Sequence, residues 1–277
     1  MNKLTTERRV AVIRCLVEGN SIRSTVRITG VAKNTVTKLL VDLGKACSEY
    51  QNDALRKLNC ERVQCDEIWS FVACKEKNVP EEMKGETGVG DVWTWTALGP
   101  DSKLMLSWYV GDRGVDSAYE FMIDVSGRLA NRVQLTTDGH RAYLNAVRDV
   151  FEDDIDYAML VKLYGQGEAQ GQRSYSPANC IGAKKVAIIG APNKEHVSTS
   201  FVERSNLTMR MNMRRFTRLT DAFSKKFENH CCAISLHFMY YNFGRVHQTL
   251  KTSPAVAAGI TDHVWTLEEI VKLLDSN

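Results

Sequence analysis

Three carboxylates stand out by their surroundings in this 277-residue chain. Asp66 lies within CDEIWSFV, where its neighbours are largely apolar; Asp138 closes RVQLTTDG; Glu203 falls near the start of FVERSNLTMRMNMRRF, amid basic residues. A carboxylate in such a place is costly unless a cation or a hydrogen-bond network balances it. Three oxygen donors brought together suit Mg²⁺ or Mn²⁺, hard ions that bind phosphate oxygens. Two such ions can activate a nucleophile and stabilise the leaving oxygen of a phosphodiester. Glu67 competes with Asp66 for this role: adjacent strand residues point to opposite faces, so the two cannot join one site without distortion. On a helix, Glu203, Asn206 and Arg210 share one face at i, i+3 and i+7, which groups an acid, a polar side chain and a cation. Taken singly, each acid also reads as a surface or capping carboxylate, and Asp138 before Gly139 as a turn residue.

These acids need a strand, a strand end and a helix to carry them. ERVQCDEIWSFVAC alternates and is rich in β-branched and aromatic residues, and DVWTWTALG and LMLSWYVG follow after turns at Gly90 and Gly99-Pro100. A helix is predicted near Asp116 to Leu129, then a strand over RVQLTTDG, a helix over HRAYLNAVRDVF and a strand over DIDYAMLVKLY. This order predicts an α/β domain with a mixed sheet over residues 59–245. Residues 165–200, rich in Gly, Ser, Gln and Asn, read as a loop-rich insertion in which KKVAIIG suits a strand. From Ser200 to about Asn242 the pattern is helical, broken around Phe216 to Asp221, and 246–277 form a C-terminal tail. Trp69, Trp93, Trp95 and Trp108 read as core, with base stacking as the alternative.

Residues 1–58 read as a separate all-α domain. Thr5 or Thr6 caps a first helix bearing Val10, Ile13 and Val17; a second runs from about Ser21 to Gly30; a third, from about Ala32, buries Val36, Leu39, Leu40 and Leu43. Lys33, Asn34, Thr37 and Lys38 occupy the opposite face at the start of the third helix. That is the outline of a helix-turn-helix, whose polar helix start reads the major groove; a three-helix bundle used for dimerisation is the other reading.

The net charge of +3, from 36 Lys and Arg against 33 Asp and Glu, announces no polyanionic partner. Its distribution does. Residues 1–60 carry a net +6 and residues 204–251 a net +7. The eight cysteines are scattered through a long chain with no secretory signal, which predicts reduced thiols, and the lack of a CxxC pair argues against a zinc ribbon. The N-terminus has no apolar signal core, and no stretch approaches the length of a membrane span, so a cytoplasmic protein is expected.

CDEIWSFV, TTDGHRAYL and FVERSNLTMRMNMRRF, in that order and with the acids 72 and 65 residues apart, resemble the three acidic blocks of DDE transposases of the insertion-sequence-one (InsB-type) group. The resemblance covers roughly residues 60–245. It implies an RNase H-like fold, with the first acid on the first strand, the second after the fourth and the third on a following helix. It selects Asp66 over Glu67 and assigns Asp66, Asp138 and Glu203 as catalytic ligands of two Mg²⁺ or Mn²⁺ ions. Arg210 matches a basic residue that such enzymes often carry seven positions after the glutamate; with Arg204, Arg214 and Arg215 it is expected on phosphates, and Asn206 and His140 beside the acids. NFGRVHQTLKTSP is similar to a tail found after the catalytic helix, with Val246 in place of a common proline; the zinc-binding module that similar proteins often carry is not visible. The implied partners are the terminal inverted repeats of a mobile element and target DNA, bound by at least a dimer. A non-catalytic DNA-binding regulator and an RNase H-like nuclease without strand transfer are the competing readings.

Overall fold

Three N-terminal helices lead into a six-stranded sheet in the computed structural model, which describes residues 4–164, 180–217 and 221–275. Helix α1 (Thr6–Val17) is capped by the Thr5 hydroxyl, and α2 (Ile22–Thr29) by that of Ser21. Gly30 stops α2 in the left-handed region, at φ 66°, where a side chain would be strained. α3 (Lys33–Ala54) buries the expected stripe of Val36, Leu39, Leu40 and Leu43 and runs for 22 residues.

The sheet comprises β1 (Arg62–Val72), β2 (Gly90–Leu98), β3 (Met105–Gly111), β4 (Gln134–Asp138), β5 (Asp156–Tyr164) and β6 (Cys180–Ile189). Their spatial order is β3-β2-β1-β4-β5-β6. β1, β4 and β5 are parallel, while β2, β3 and β6 run antiparallel to their neighbours. Such a mixed sheet needs helices on both faces. α4 (Val115–Ser126) and α5 (Ala142–Phe151) cover one, where Phe121 and Tyr143 pack on the fully buried Trp95. α6 (Ser200–Asn212) and α7 (Phe227–Met239) cover the other, where Phe238 packs on Trp108. Trp95 is thus core as expected; Trp69, Trp93 and Trp108 are half-buried. Of the expected insertion, residues 180–189 form β6 and 190–199 a loop with one 3₁₀ turn; 165–179 lie outside the described residues.

α7 continues as a π-helical turn to Gly244, followed by α8 (Pro254–Ala257) and α9 (Leu267–Lys272). The segment expected as a tail therefore packs back: Ile270 and Val271 are buried, Trp265 lies against Tyr50 and Phe243, and Asp275 pairs with Arg9. α3 crosses α7 where Gly44 faces Cys232, so one hydrophobic cluster runs from Val10 and Val36 through the sheet to Val271. Among the described residues no helix is long and apolar enough to cross a membrane.

Candidate functional site

β1 and β4 lie side by side with Cys65 opposite Thr137, so Asp66 and Asp138 come next along the pair. β4 ends at Asp138, whereas β1 continues along β2 to Val72. Past that end, one edge of β1 has lost its strand neighbour. Asp66 pairs with Thr96 on the α6 face and Glu67 with Trp95 on the α5 face, as alternation requires. Nonetheless, one carboxylate oxygen from each of Asp66, Glu67 and Asp138 lies within 4.8 Å of the others. The expectation that only one of Asp66 and Glu67 can join a site is therefore corrected: with the partner strand ended, side chains from both faces reach round to Asp138.

Each acid is held by a different element. Asn206, from α6, donates Nδ2 to Asp66 Oδ2 at 2.9 Å, and Thr96 Oγ1 donates to Asn206 Oδ1 at 3.3 Å. Burial, and then the Asp138 charge, push the Asp66 carboxyl up to about 7, against the Asn206 hydrogen bond. The same two causes push Glu67 up to about 8, against Tyr143 and Arg113. Arg113 Nη2 sits 3.2 Å from Glu67 Oε2, but Oε1 is buried without a hydrogen-bond partner, as is the hydroxyl of fully buried Tyr143. The Tyr143 hydroxyl is thus near enough to lower Glu67 without forming a well-aligned bond to it. Asp138 Oδ1 accepts the His140 backbone N–H at 2.9 Å, and the His140 ring donates Nε2–H to the Arg113 carbonyl at 3.2 Å. Burial and Arg113 lower the pKa of His140, which keeps this ring neutral.

Glu203 stands apart from this cluster. Gln64 of β1 accepts the Phe201 and Val202 N–H groups at 3.0 and 3.2 Å, which docks the first turn of α6 on the sheet. That turn delivers Glu203 to Lys162, whose Nζ lies 2.6 Å from Oε1, and to the Thr199 hydroxyl. Glu203 is still near enough to help raise Asp66. Of the three expected ligands, then, Asp66 and Asp138 meet, with Glu67 as their companion, and Glu203 is engaged by a cation.

Arg113, Arg141 and Lys162 surround Asp138 and His140 in a cleft of about 480 Å³. The Arg113 guanidinium is stacked 4.5 Å from the Trp93 ring. None of these three cations figured among the expected site residues. The available signal was Lys162, the one cation in the apolar strand DYAMLVKLY.

A second, larger hollow of about 1060 Å³ gathers most of the expected DNA contacts. Lys33, Asn34, Thr37 and Lys38 line one wall, and Arg214 and Arg215 the other, joined there by Lys225 and Lys226. Lys33, Asn34 and Lys38 are exposed and Thr37 half-buried; Lys38 pairs with Asp42. Arg214 is exposed, whereas Arg215 points inward and donates Nη1 to Ser224 Oγ at 2.7 Å. Arg204 is exposed on α6 and Arg210 half-buried; neither lines this hollow. The two basic regions of the chain thus face each other.

No protein-family model matches the chain, and no curated protein matches it.

Proposed function

We propose that the protein is a DDE-type transposase that binds the ends of a mobile DNA element and cuts and joins DNA. The observation that carries this reading is the meeting of Asp66, on the first strand, with Asp138, at the end of the fourth, while Glu203 stands on a following helix. That is the placement the resemblance calls for, and the mixed sheet with β1 between β2 and β4 is compatible with an RNase H-like fold.

The donor set fits a hard divalent cation: carboxylate oxygens converge, and a buried one, Glu67 Oε1, lacks a hydrogen-bond donor. Asp66 and Asp138 would hold Mg²⁺ or Mn²⁺, two ions being expected, with Glu203 as the third acid of the resemblance. Bound there, such ions would lower the pKa of a water and neutralise charge on a phosphoryl group. The chain's own residues do the rest. Asn206 and the His140 N–H orient Asp66 and Asp138. Arg113, Arg141 and Lys162 counter the repulsion between clustered carboxylates and a phosphodiester, with Arg204 and Arg210 along α6. Water attacks the phosphodiester at the element end and breaks its P–O3′ bond, leaving a 3′-hydroxyl and a 5′-phosphate; that 3′-hydroxyl then attacks a target phosphodiester, forming a new P–O bond as the target strand's own 3′-hydroxyl leaves, with no covalent protein intermediate.

α2 and α3 act as a helix-turn-helix that reads the terminal inverted repeats, supported by the exposed Lys33, Asn34 and Lys38 at the start of α3. Arg214, Arg215, Lys225 and Lys226 form the opposite wall of the same hollow. Joining two ends requires at least a dimer on DNA, and the reaction belongs in the cytoplasm.

The test is cleavage of end-containing DNA with Mg²⁺ by the wild type and by Asp66→Ala, Asp138→Ala and Glu203→Ala. The wild type is expected to yield both cut and joined products, and the variants neither. Unchanged cleavage in the variants overturns the site; cutting without joining favours a nuclease, and binding without cutting a regulator.

A further inference from the structure

We infer that Glu67 is itself a cation ligand, completing with Asp66 and Asp138 a site that does not require Glu203; this rests on the metal-dependent reading above. Three observations lead there. First, the Glu67 carboxylate is 1% exposed yet half-satisfied: Oε2 meets Arg113 at 3.2 Å, while Oε1 has no donor. Burying a carboxylate oxygen without a partner is expensive, so a missing partner is indicated. Second, the Tyr143 hydroxyl on α5, fully buried on the same face of the sheet, is also unpartnered. That hydroxyl is near enough to lower Glu67 but forms no well-aligned hydrogen bond to it, so Oε1 keeps no donor of good geometry. Third, the oxygens of Asp66, Glu67 and Asp138 crowd within 4.8 Å, and Arg113 is the one ion pair formed by any of the three among the described residues. Carboxylates at such separations repel one another strongly unless a proton is taken up or positive charge lies between them, and a bound divalent ion supplies the latter for all three at once.

Glu203 does not fill this place. Its Oε1 is taken by Lys162 and Thr199, and its carboxylate lies outside the cluster. A hard, oxygen-seeking divalent ion meets the need, since it can take one oxygen from each of three carboxylates and leave its remaining positions to water. Glu67 then has two separate duties, with Oε2 on Arg113 at the edge of the phosphate cleft and Oε1 on the cation. Glu203 remains for a second ion.

Mn²⁺ binding to the full-length protein, without DNA, tests this by calorimetry and by electron paramagnetic resonance of free Mn²⁺. Glu67→Gln, which keeps size and removes charge, is expected to weaken the tightest Mn²⁺ site by about tenfold or more, and Glu203→Gln by less than about threefold. Glu67→Gln binding as tightly as wild type, or Glu203→Gln losing tenfold, overturns the inference and leaves the function standing. A wild type that binds no Mn²⁺ overturns the metal reading itself. Should Glu67→Gln fail to fold, the Glu203→Gln arm still decides, because that side chain is partly exposed and its loss leaves the core intact.

Discussion

Lys162 Nζ, on β5, lies 2.6 Å from Glu203 Oε1, on α6, so the third acid of the expected set is neutralised by a strand cation 41 residues earlier in the chain. Leu160 pairs with Asp138 across the sheet, and Lys162 follows two residues later, on the same side of β5. One ammonium group therefore adjoins both Glu203 and the cleft over Asp138. It balances the Glu203 carboxylate, and on the transposase reading proposed above it would also meet a phosphate.

Lys162→Met separates these roles. Both partners are partly exposed, at 32% and 37%, so the pair contributes about 0–1 kcal/mol to stability. Denaturant unfolding is expected to change within that range, while Mg²⁺-dependent DNA cleavage drops by about tenfold or more, because a charge-assisted phosphate contact is lost. Equal cleavage by Lys162→Met and wild type would remove Lys162 from the phosphate cleft.

The facing walls of the large hollow predict paired effects on DNA affinity. Lys33→Ala with Lys38→Ala, and separately Lys225→Ala with Lys226→Ala, are each expected to lower the slope of log affinity against log salt by about one unit per lost phosphate contact. The ion pair between Lys38 and Asp42 makes its share the smaller. Fluorescence anisotropy over a salt series provides the slopes. If only the second pair alters the slope, α3 is a packing helix and not a reader.

Gly44→Ala opposes two rules. Alanine in a helix interior is favoured over glycine by about 1 kcal/mol. Here, however, the added Cβ falls 2.5 Å from both the Cβ and the carbonyl oxygen of Cys232, against the neighbouring helix. The overlap prevails, and a net loss of about 1–3 kcal/mol is expected in urea unfolding. A gain in stability would mean that α3 and α7 do not cross this closely.

His230 sets an acid limit on the fold. Its ring is fully buried between the Ser70 and Ser224 hydroxyls, at 3.1 and 2.9 Å, with Arg215 behind Ser224. Burial, and then the Arg215 charge, push its pKa down to about 3; His237 is likewise pushed to about 3 by burial and Arg245. Unfolded chains take up these protons below about pH 6.5, and the native state does so only near 3, so the unfolded state binds more protons throughout that window. This contribution is complete above about pH 6.5 and falls as pH drops, by about 1.4 kcal/mol per unit for each such histidine, while the raised Asp66 and Glu67 carboxyls, which the native state protonates first, act in the opposite direction over the same window. The histidine share is therefore read as a difference: in thermal melts from pH 7 to pH 4, His230→Gln should be less stable than wild type at pH 7 and the gap should narrow as pH drops. A gap that stays constant down to pH 4 would contradict the buried neutral ring of His230.

Element types were largely legible, because periodicity reports the burial of a single strand or helix directly. The run around Asp66 is a strand, the one ending in Asp138 is a strand, and Glu203 rides a helix. The apolar stripe of α3 and the stop at Gly30 are local patterns too. The length of α3 and the packing of Ile270 and Val271 were less visible, since each depends on a distant partner that completes a short apolar pattern.

By itself the sequence determined which segments become strands and helices, where the basic charge concentrates and which acids lie in apolar or strand-end settings, all of them properties of neighbouring residues. Only the tertiary structure decided which of those acids meet. Glu67 joins Asp66 because β4 ends while β1 runs on, and Glu203 turns to Lys162 because Gln64 docks α6 beside β5. Likewise, the basic regions at Lys33 and Lys225 form one hollow because of how α3 lies across α7. Strand alternation assigns a side chain to a face; strand length, register and helix docking determine what it reaches there.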